Sequence, residues 1–448
     1  LSEPPATRAP LEGDLDVDVA IIGGGYSGLW TARELLVRDP KLRVAIVERE
    51  ICGFGASGRN GGWASALFPV SVSAQTAQWG ADATRDLRVA LQHAVSALGQ
   101  AAQDEQIACD FHQGGSLQFA RSEIQATRLR AEVGAARSRG ELSADLRWME
   151  AEEARARANL TDVYGAAFTP HCARVHPARL VRGLVDAVER RGARVYEATS
   201  ATKIVPATAT RRARALTAAG TITADVVVRA TEGFTPKLGA PREIAPLYSL
   251  MVATEVQPAS FWHDVGFRDY ETFADDRHVV IYGQRTADDR IAFGGRGAPY
   301  HFGSSVEPRF DQVPRVFDKI EATVRELFPQ LVGGFTHRWG GPLGMPRDHF
   351  PTVRLDKRRG VAVLGGYTGD GVVLSRVCAT ALAELVTNVG DEARTLPFVG
   401  RETKKWEYEP LRWLGINAGL QLASRADRTE QQGRTSRAAG VLDRLMGD

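Results

Sequence analysis

Three glycines set the first limit on how this chain can fold. Gly23, Gly25 and Gly28 read G-x-G-x-x-G directly after the apolar run 16–22 and at the head of 27–38, where Leu29, Ala32, Leu35 and Leu36 recur at helical spacing. Pro40 stops that helix, and 43–48 is again apolar and β-branched. Strand, helix and strand over roughly 30 residues make a right-handed crossover unit. Each glycine there has a physical task. The first permits a tight turn, the second lets backbone N–H groups approach a pyrophosphate, and the third lets helix and strand pack closely. The helix N-terminus then presents unpaired N–H donors to phosphate charge. Glu48 ends the second strand 20 residues beyond Gly28, where a carboxylate can accept both ribose hydroxyls. A dinucleotide site is expected, against the alternative of a glycine turn in a non-binding unit.

Two further glycine-rich segments decide which dinucleotide. Residues 53–62 (GFGASGRNGG) can lay backbone against a flat ring system, with Arg59 and Asn60 supplying hydrogen bonds. Residues 365–371 (GGYTGDG) lie between a strand at 361–364 and a helix at 372–389, more than 300 residues further along. A helix N-terminus there can face the electron-rich N1–C2=O edge of a flavin. A flexible surface loop and an ordinary strand-to-helix turn are the plainer readings of these two segments. Taken together, the three favour FAD held by both ends of the chain.

The rest of the sequence bounds the setting. A chain of 448 residues is too long for one small core, so two domains with appendages are expected. Basic and acidic residues number 56 and 54, a balance that gives no reason to expect nucleic acid or an anionic membrane as partner. No apolar run approaches the ~18 residues of a membrane span. The opening 1–14 is polar and Pro-rich without a signal-peptide order, which suggests a cytoplasmic enzyme with a loose N-terminal arm. Cys52, Cys109, Cys172 and Cys378 show no C-x-x-C spacing and are expected as free thiols. His171, Cys172 and His176 look only superficially like metal ligands; no metal is expected, and His176 before Pro177 reads as the entry to a helix over 178–190. Strands are expected at 115–120, 194–198, 213–218 and 224–230, with a strand-rich stretch over 245–300. Helices are expected over 83–105 and 312–328, and charged surface helices over 123–140 and 150–157. The pattern is a parallel α/β domain interrupted by a more antiparallel, β-rich one.

The stretches AIIGGGYSGLWTARELL, GFGASGRNGGW, VHPARLVRGL, VVVRATEGF, RIAFGGRG, RWGGPLGMPRDHFP and GGYTGDGV, in order over about 18–375, resemble the D-amino acid oxidase-like family of FAD enzymes. Glycine oxidase and sarcosine oxidase belong to it, and the γ-glutamylputrescine oxidase-like branch is the nearest in look. The resemblance implies an α/β fold, α+β overall, of the glutathione-reductase-like type: a Rossmann-type FAD domain from 1–85, 150–240 and 340–400, a β-sheet-rich substrate domain from 86–149 and 241–339, and a helical tail at 401–448. It assigns Gly23, Gly25, Tyr26, Ser27, Gly28, Glu48 and Arg49 to the adenosine-pyrophosphate end. Gly55, Ala56, Ser57, Arg59, Asn60, Gly61, Gly62 and Trp63 would line pyrophosphate, ribityl chain and ring. Ala201 falls where backbone meets adenine, Ala230, Thr231 and Gly233 near the phosphates, and Gly366, Tyr367, Thr368, Gly369, Asp370, Gly371 and Val372 on the pyrimidine side. Sarcosine oxidases carry a flavin-linking cysteine before the Asp-His-Phe-like segment; GGPLGMPRDHF has none, so non-covalent FAD is expected. Arg296 stands where those enzymes present a lysine, and 229–232 (RATE) departs from the commoner residues around its Ala-Thr pair.

The chemistry this implies is oxidation of a small amine or amino acid at the carbon next to nitrogen. Hydride passes to flavin N5, giving an imine that hydrolyses to carbonyl and amine, with O2 reduced to H2O2. Arg296 is the candidate for a cation beside the ring, with His349 and Tyr367 as further catalytic candidates. Trp63, Tyr248, Tyr282, Arg338, Trp339 and Met345 are candidates for the pocket wall, each with core packing or a surface position as its plainer reading. A dehydrogenase passing electrons to a carrier, a tailoring flavoenzyme acting on a larger scaffold, and a non-catalytic flavin-fold binding module are the alternatives.

Overall fold

The computed structural model describes residues 7–295 and 297–446. Its centre is a six-stranded sheet in the order Thr352–Asp356, Val361–Gly365, Val226–Arg229, Val19–Ile22, Val44–Val47, Arg194–Tyr196. All neighbours are parallel except the first pair. Period-two alternation sends the side chains of Val19–Ile22 into two different cores. Val19 and Ile21 join Leu29 and Leu35 of the helix Tyr26–Arg38, Leu184 of Pro177–Arg190, and Leu374 and Leu382 of Gly371–Thr387. Ala20 and Ile22 pack against Ala213, Ala215, Ile222 and Ala224 of a four-stranded sheet on the opposite face. A strand buried on both faces must be apolar throughout, which is why this run carried so clear a signal.

The second architectural unit is an eight-stranded sheet. Its order is Phe335–Pro346, Ile244–Thr254, Ile291–Gly295, Ile281–Arg285, Thr272–Asp275, Ser116–Ala120, Gly165–Thr169, Arg147–Glu150. It is antiparallel except between Thr272–Asp275 and Ser116–Ala120. One face, with Tyr248, Leu250, Val252, Phe273 and Phe293, is covered by Phe317, Ile320 and Val324 of the helix Pro314–Leu327. The alternate residues, among them Ser249, Gly341 and Leu343, face the glycine segments of the first unit. The strand Gly165–Thr169 belongs to this sheet, so the chain returns to the parallel sheet later than the expected division at 150. The strand Phe335–Pro346 likewise runs through the expected division at 340.

The described residues are tied down towards both limits, from Arg8 and through the helix Leu411–Gln431. The arm expected to be loose is held from Arg8 onward: its N–H donates to Glu197 Oε2 at 2.8 Å, its guanidinium pairs with Glu189 and Asp186, and Leu11 is buried. The helix Leu411–Gln431 docks on the large sheet. Asp427 accepts the backbone N–H groups of His278 and Val279, and Glu430 pairs with Arg128 and His278. Trp406 is buried and donates to Met345 O at 2.8 Å. Among the described residues, no helix is long and apolar enough to cross a membrane.

Candidate functional site

The three glycine segments meet around one cleft. Gly23 adopts φ +112°, a conformation L side chains rarely take, and a Cβ there would sit 2.4 Å from Ala230 O. At Gly28 a Cβ would lie 2.0 Å from Gly23 O, so helix and turn touch through backbone alone. Gly25 precedes the helix Tyr26–Arg38 without a side-chain cap of its own; the Tyr26 N–H is taken by Ser57, and Tyr26 and Ser27 of the first turn border the cleft. Glu48 accepts N–H groups from Gly24 at 2.8 Å and Glu50 at 3.0 Å. Each carboxylate oxygen keeps acceptor capacity beyond those bonds, as ribose hydroxyls require. Burial pushes the Glu48 carboxyl upward.

The second segment is not irregular throughout: Ala56–Arg59 forms a short helix. Ser57 Oγ accepts the Tyr26 N–H at 2.9 Å, linking this helix to the first turn. Asn60 accepts from Gly62 N–H and donates to Ala56 O and Ser57 O, so it folds its own loop. Arg59 pairs with Asp311 at 2.7 Å and covers the Phe54 ring; its charge ties the loop to the sheet. In the third segment, the helix Gly371–Thr387 also starts without a side-chain cap hydrogen bond. Tyr367 bridges the ends of the chain, its hydroxyl 2.8 Å from Ser27 Oγ.

A cavity of about 360 Å³ runs along these segments. Its walls include Gly23, Gly25, Tyr26, Ser27, Glu48, Arg49, Gly55, Ser57, Ala201, Ala230, Thr231, Gly233, Tyr367, Gly369 and Gly371. Arg49 lies over the Phe234 ring, another wall residue. A second cavity of about 420 Å³ continues from it, and Ala56, Asn60, Leu343, Gly369 and Val372 belong to both. The cleft is therefore continuous, long, glycine-walled at one end and open to side chains at the other. Uncapped helix ends, close backbone approach and a strand-end carboxylate fit a dinucleotide, and the continuation leaves room for a reactant beyond it.

The second cavity is the more charged. Glu132, Glu141, Asp145, Asp275 and Asp370 line it against Arg59, Arg88 and Arg277. Arg88 pairs with Glu141 at 2.6 Å, Arg277 with Asp275 at 2.5 Å and His171 with Asp145 at 2.8 Å. Glu132 makes no ion pair among the described residues, and burial pushes its carboxyl upward; counting it, five carboxylates stand against three guanidinium groups on this wall, a negative balance. Cys172 is also on the wall; it is buried, lies 3.2 Å from Thr272 Oγ1, and burial pushes its thiol up to about 12.

The structure divides the residues expected on the pocket wall. Trp63 and Tyr282 line the second cavity edge to face, 6.3 Å between centroids, with Tyr282 Oη 2.7 Å from Ser249 Oγ. Tyr248 instead lies beneath the sheet against His301 and Phe310. Trp339 donates to Arg59 O at 3.0 Å, behind the wall. Arg338 is half exposed and pairs with Glu321. Met345 packs with Trp406. His349 sits at φ +61° with its carbonyl accepting from Thr368 Oγ1, outside both cavity linings. Thr368 and Gly62 shape their turns from behind: Thr368 N–H donates to Gly344 O, and a Cβ on Gly62 would meet Val175 O at 2.3 Å. Gly61 lines the second cavity, and Gly366 borders a small polar recess beside the first. Arg296 lies outside the described residues. His176 caps the helix Pro177–Arg190, its Nδ1 accepting from Arg179 N–H.

Sequence reasoning missed Glu232. Its carboxylate accepts N–H groups from Gly366 at 2.6 Å and Tyr367 at 3.2 Å. Burial pushes it up to about 7, against the pull of those amide donors. The only signal was the unusual residue itself, after the Ala-Thr pair. The acidic wall was also missed, because Glu132, Glu141 and Asp145 sit in a stretch that reads as solvated surface.

Comparison with known proteins agrees with this geometry. A family model described as FAD-dependent oxidoreductase matches residues 18–385. The chain is 29% identical over 388 residues to a probable oxidoreductase, OrdL, of Rhizobium meliloti (strain 1021), covering 85% of this chain and 86% of that one. It is 28% identical over 392 residues to the γ-glutamylputrescine oxidoreductase of Escherichia coli (strain K12), covering 86% of each. Among solved structures, glycine oxidase from Geobacillus kaustophilus superposes with a TM-score of 0.72 at 22% identity, over 87% of this chain and 99% of that one.

Proposed function

Since the chain belongs to the family of FAD-dependent oxidoreductases, we propose that it oxidises the C–N bond of a small amine or amino acid, with O2 as the final acceptor. The observation that carries this reading is the negatively balanced second cavity, opening directly from the dinucleotide cavity. FAD, when bound along the glycine segments, would supply a two-electron acceptor. Everything else is done by the chain.

Free amines are cations in neutral water, and a carboxylate-lined mouth draws them in. The same wall also carries Trp63, Tyr282, Gly341, Leu343 and Val372, the last two shared with the first cavity. A charged ammonium is disfavoured against those surfaces, so the wall favours the neutral amine whose lone pair oxidation needs. Glycine at 341 keeps the sheet close to the loop, since a Cβ there would stand 3.3 Å from Arg59 Cζ. Two similar proteins, a γ-glutamylputrescine oxidoreductase and a glycine oxidase, act on substrates of this class by their names, which supports the reading. Buried Cys172 presents no thiolate nucleophile, which supports non-covalent attachment. Acid precipitation should release FAD into the supernatant. Incubation with amines and amino acids in air should give H2O2 and a carbonyl product in equal amounts; turnover that needs an added electron carrier and yields no peroxide would make the protein a dehydrogenase.

A further inference from the structure

Glu232 stands between two spaces. On one side it borders the dinucleotide cavity. On the other it borders a separate polar recess of about 20 Å³, lined also by Thr235, Thr352, Thr403 and the Arg229–Glu243 ion pair. That volume holds about one water molecule, with polar partners enough to order it. The carboxylate is enclosed by backbone. A Cβ at Gly365 would lie 2.7 Å from Oε2, and one at Gly344 would lie 2.8 Å from Oε1. Gly366 N–H donates to Oε2 and Tyr367 N–H to Oε1, so both oxygens hold the start of the third glycine segment. The residue itself is kept at φ +41°, unusual for a side chain of this size, which marks the position as over-determined by its contacts.

Two effects oppose each other here. Amide donors favour the ionised carboxylate, and burial favours the neutral acid. The titratable groups facing it are Arg229 and Glu243 across the recess, the Tyr367 hydroxyl from the glycine segment and the Cys378 thiol from the following helix. Gly344 of the long sheet strand contributes only its backbone. A group so poised is tipped by any new charge, and a pyrophosphate in the same cavity is anionic.

We propose that Glu232 is a proton-coupled positioning residue: it takes up one proton through the water-sized recess as the anionic dinucleotide docks, and its bonds to Gly366 and Tyr367 set the third glycine segment against the bound cofactor. The carboxylate becomes the carboxylic acid, the proton comes from solvent, and no electron moves. This rests on the FAD reading, and the test separates the two.

Apoprotein is titrated with FAD by calorimetry in buffers of different ionisation enthalpy at about pH 8, where a carboxylate of this kind starts ionised. Wild type should take up close to one proton per FAD, and its Kd should rise about tenfold per pH unit above neutrality. Glu232→Gln should bind FAD with no such uptake and a flat Kd profile. Binding by wild type without proton uptake overturns the proposal whether or not the variant folds. Equal uptake by variant and wild type overturns it too. Failure to bind FAD at all would instead strike at the FAD reading.

Discussion

Tyr367 and Ser27, separated by 340 positions, share a hydrogen bond of 2.8 Å between their hydroxyl oxygens inside the protein. Through it the first and third glycine segments form one wall of the dinucleotide cavity. Ser27 sits on the first turn after the strand Val19–Ile22, and Tyr367 in the turn after Val361–Gly365, two strands of the same sheet. The cavity is thus closed by a contact between two distant stretches of the chain.

Replacing Tyr367 by Phe keeps the ring and removes this bond. Ser27 Oγ then loses a buried partner, which costs about 1–3 kcal/mol. Denaturant unfolding of the apoprotein should show a loss in that range, with FAD bound more weakly. An unchanged midpoint would mean the two segments are held together by other contacts.

Gly23→Ala attacks the same wall from the strand side. The added Cβ must tolerate φ +112° and a carbonyl oxygen at 2.4 Å, and neither neighbour is a flexible side chain. Strain of roughly 1–3 kcal/mol at the turn should weaken FAD at least tenfold. Absorbance of the purified variant at saturating and limiting FAD measures this directly.

Glu132→Gln tests the charge at the cavity mouth. Burial pushes this carboxyl upward, so its hold on a cation is modest, about 0.5–1 kcal/mol. KM for a cationic amine should rise about two- to fivefold with kcat unchanged, and the difference should shrink at high salt. A fall in kcat with KM unaltered would remove Glu132 from substrate capture.

Glu197 supplies the pH dependence. Burial pushes its carboxyl up, but the N–H groups of Cys52 and Arg8 and the Arg182 guanidinium outweigh this and hold it below the ordinary value. A depressed folded-state value contributes stability that is complete above the unfolded value of about 4.5 and lost as pH falls through the folded one. Acid unfolding should therefore release the N-terminal arm together with the Cys52 turn. Glu197→Gln should flatten the acid limb of the stability profile while lowering stability at neutral pH.

The dinucleotide half was legible because its physics is local. A strand buried on both faces, a glycine turn and a helix follow one another in the chain, and residues 19–48 fold as read. The cavity wall was not legible for the opposite reason. Phe335–Pro346 is a strand of 12 residues, yet its GGPLGMP core argues against strand structure on propensity. It survives because it is the edge of the sheet, where Pro342 and Pro346 lack only N–H groups that need no ladder partner. Trp63–Ser65 and Cys172–Arg174 are too short to carry a period, and they exist as strands by pairing with each other, with a further bridge from Arg174 to His112. Tyr248 and Ser249 show the limit most plainly: adjacent residues on one strand, the aromatic in the core and the small hydroxyl on the cavity.

Anaerobic mixing of the FAD-loaded protein with separate panels of amines, amino acids and 2-hydroxy acids tests the central claim most directly. At least one amine or amino acid should bleach the flavin absorbance faster than any hydroxy acid, and admitting air should restore it. Bleaching by hydroxy acids alone, or by no member of the amine panels, would contradict the assignment of the acidic cavity to an amine substrate.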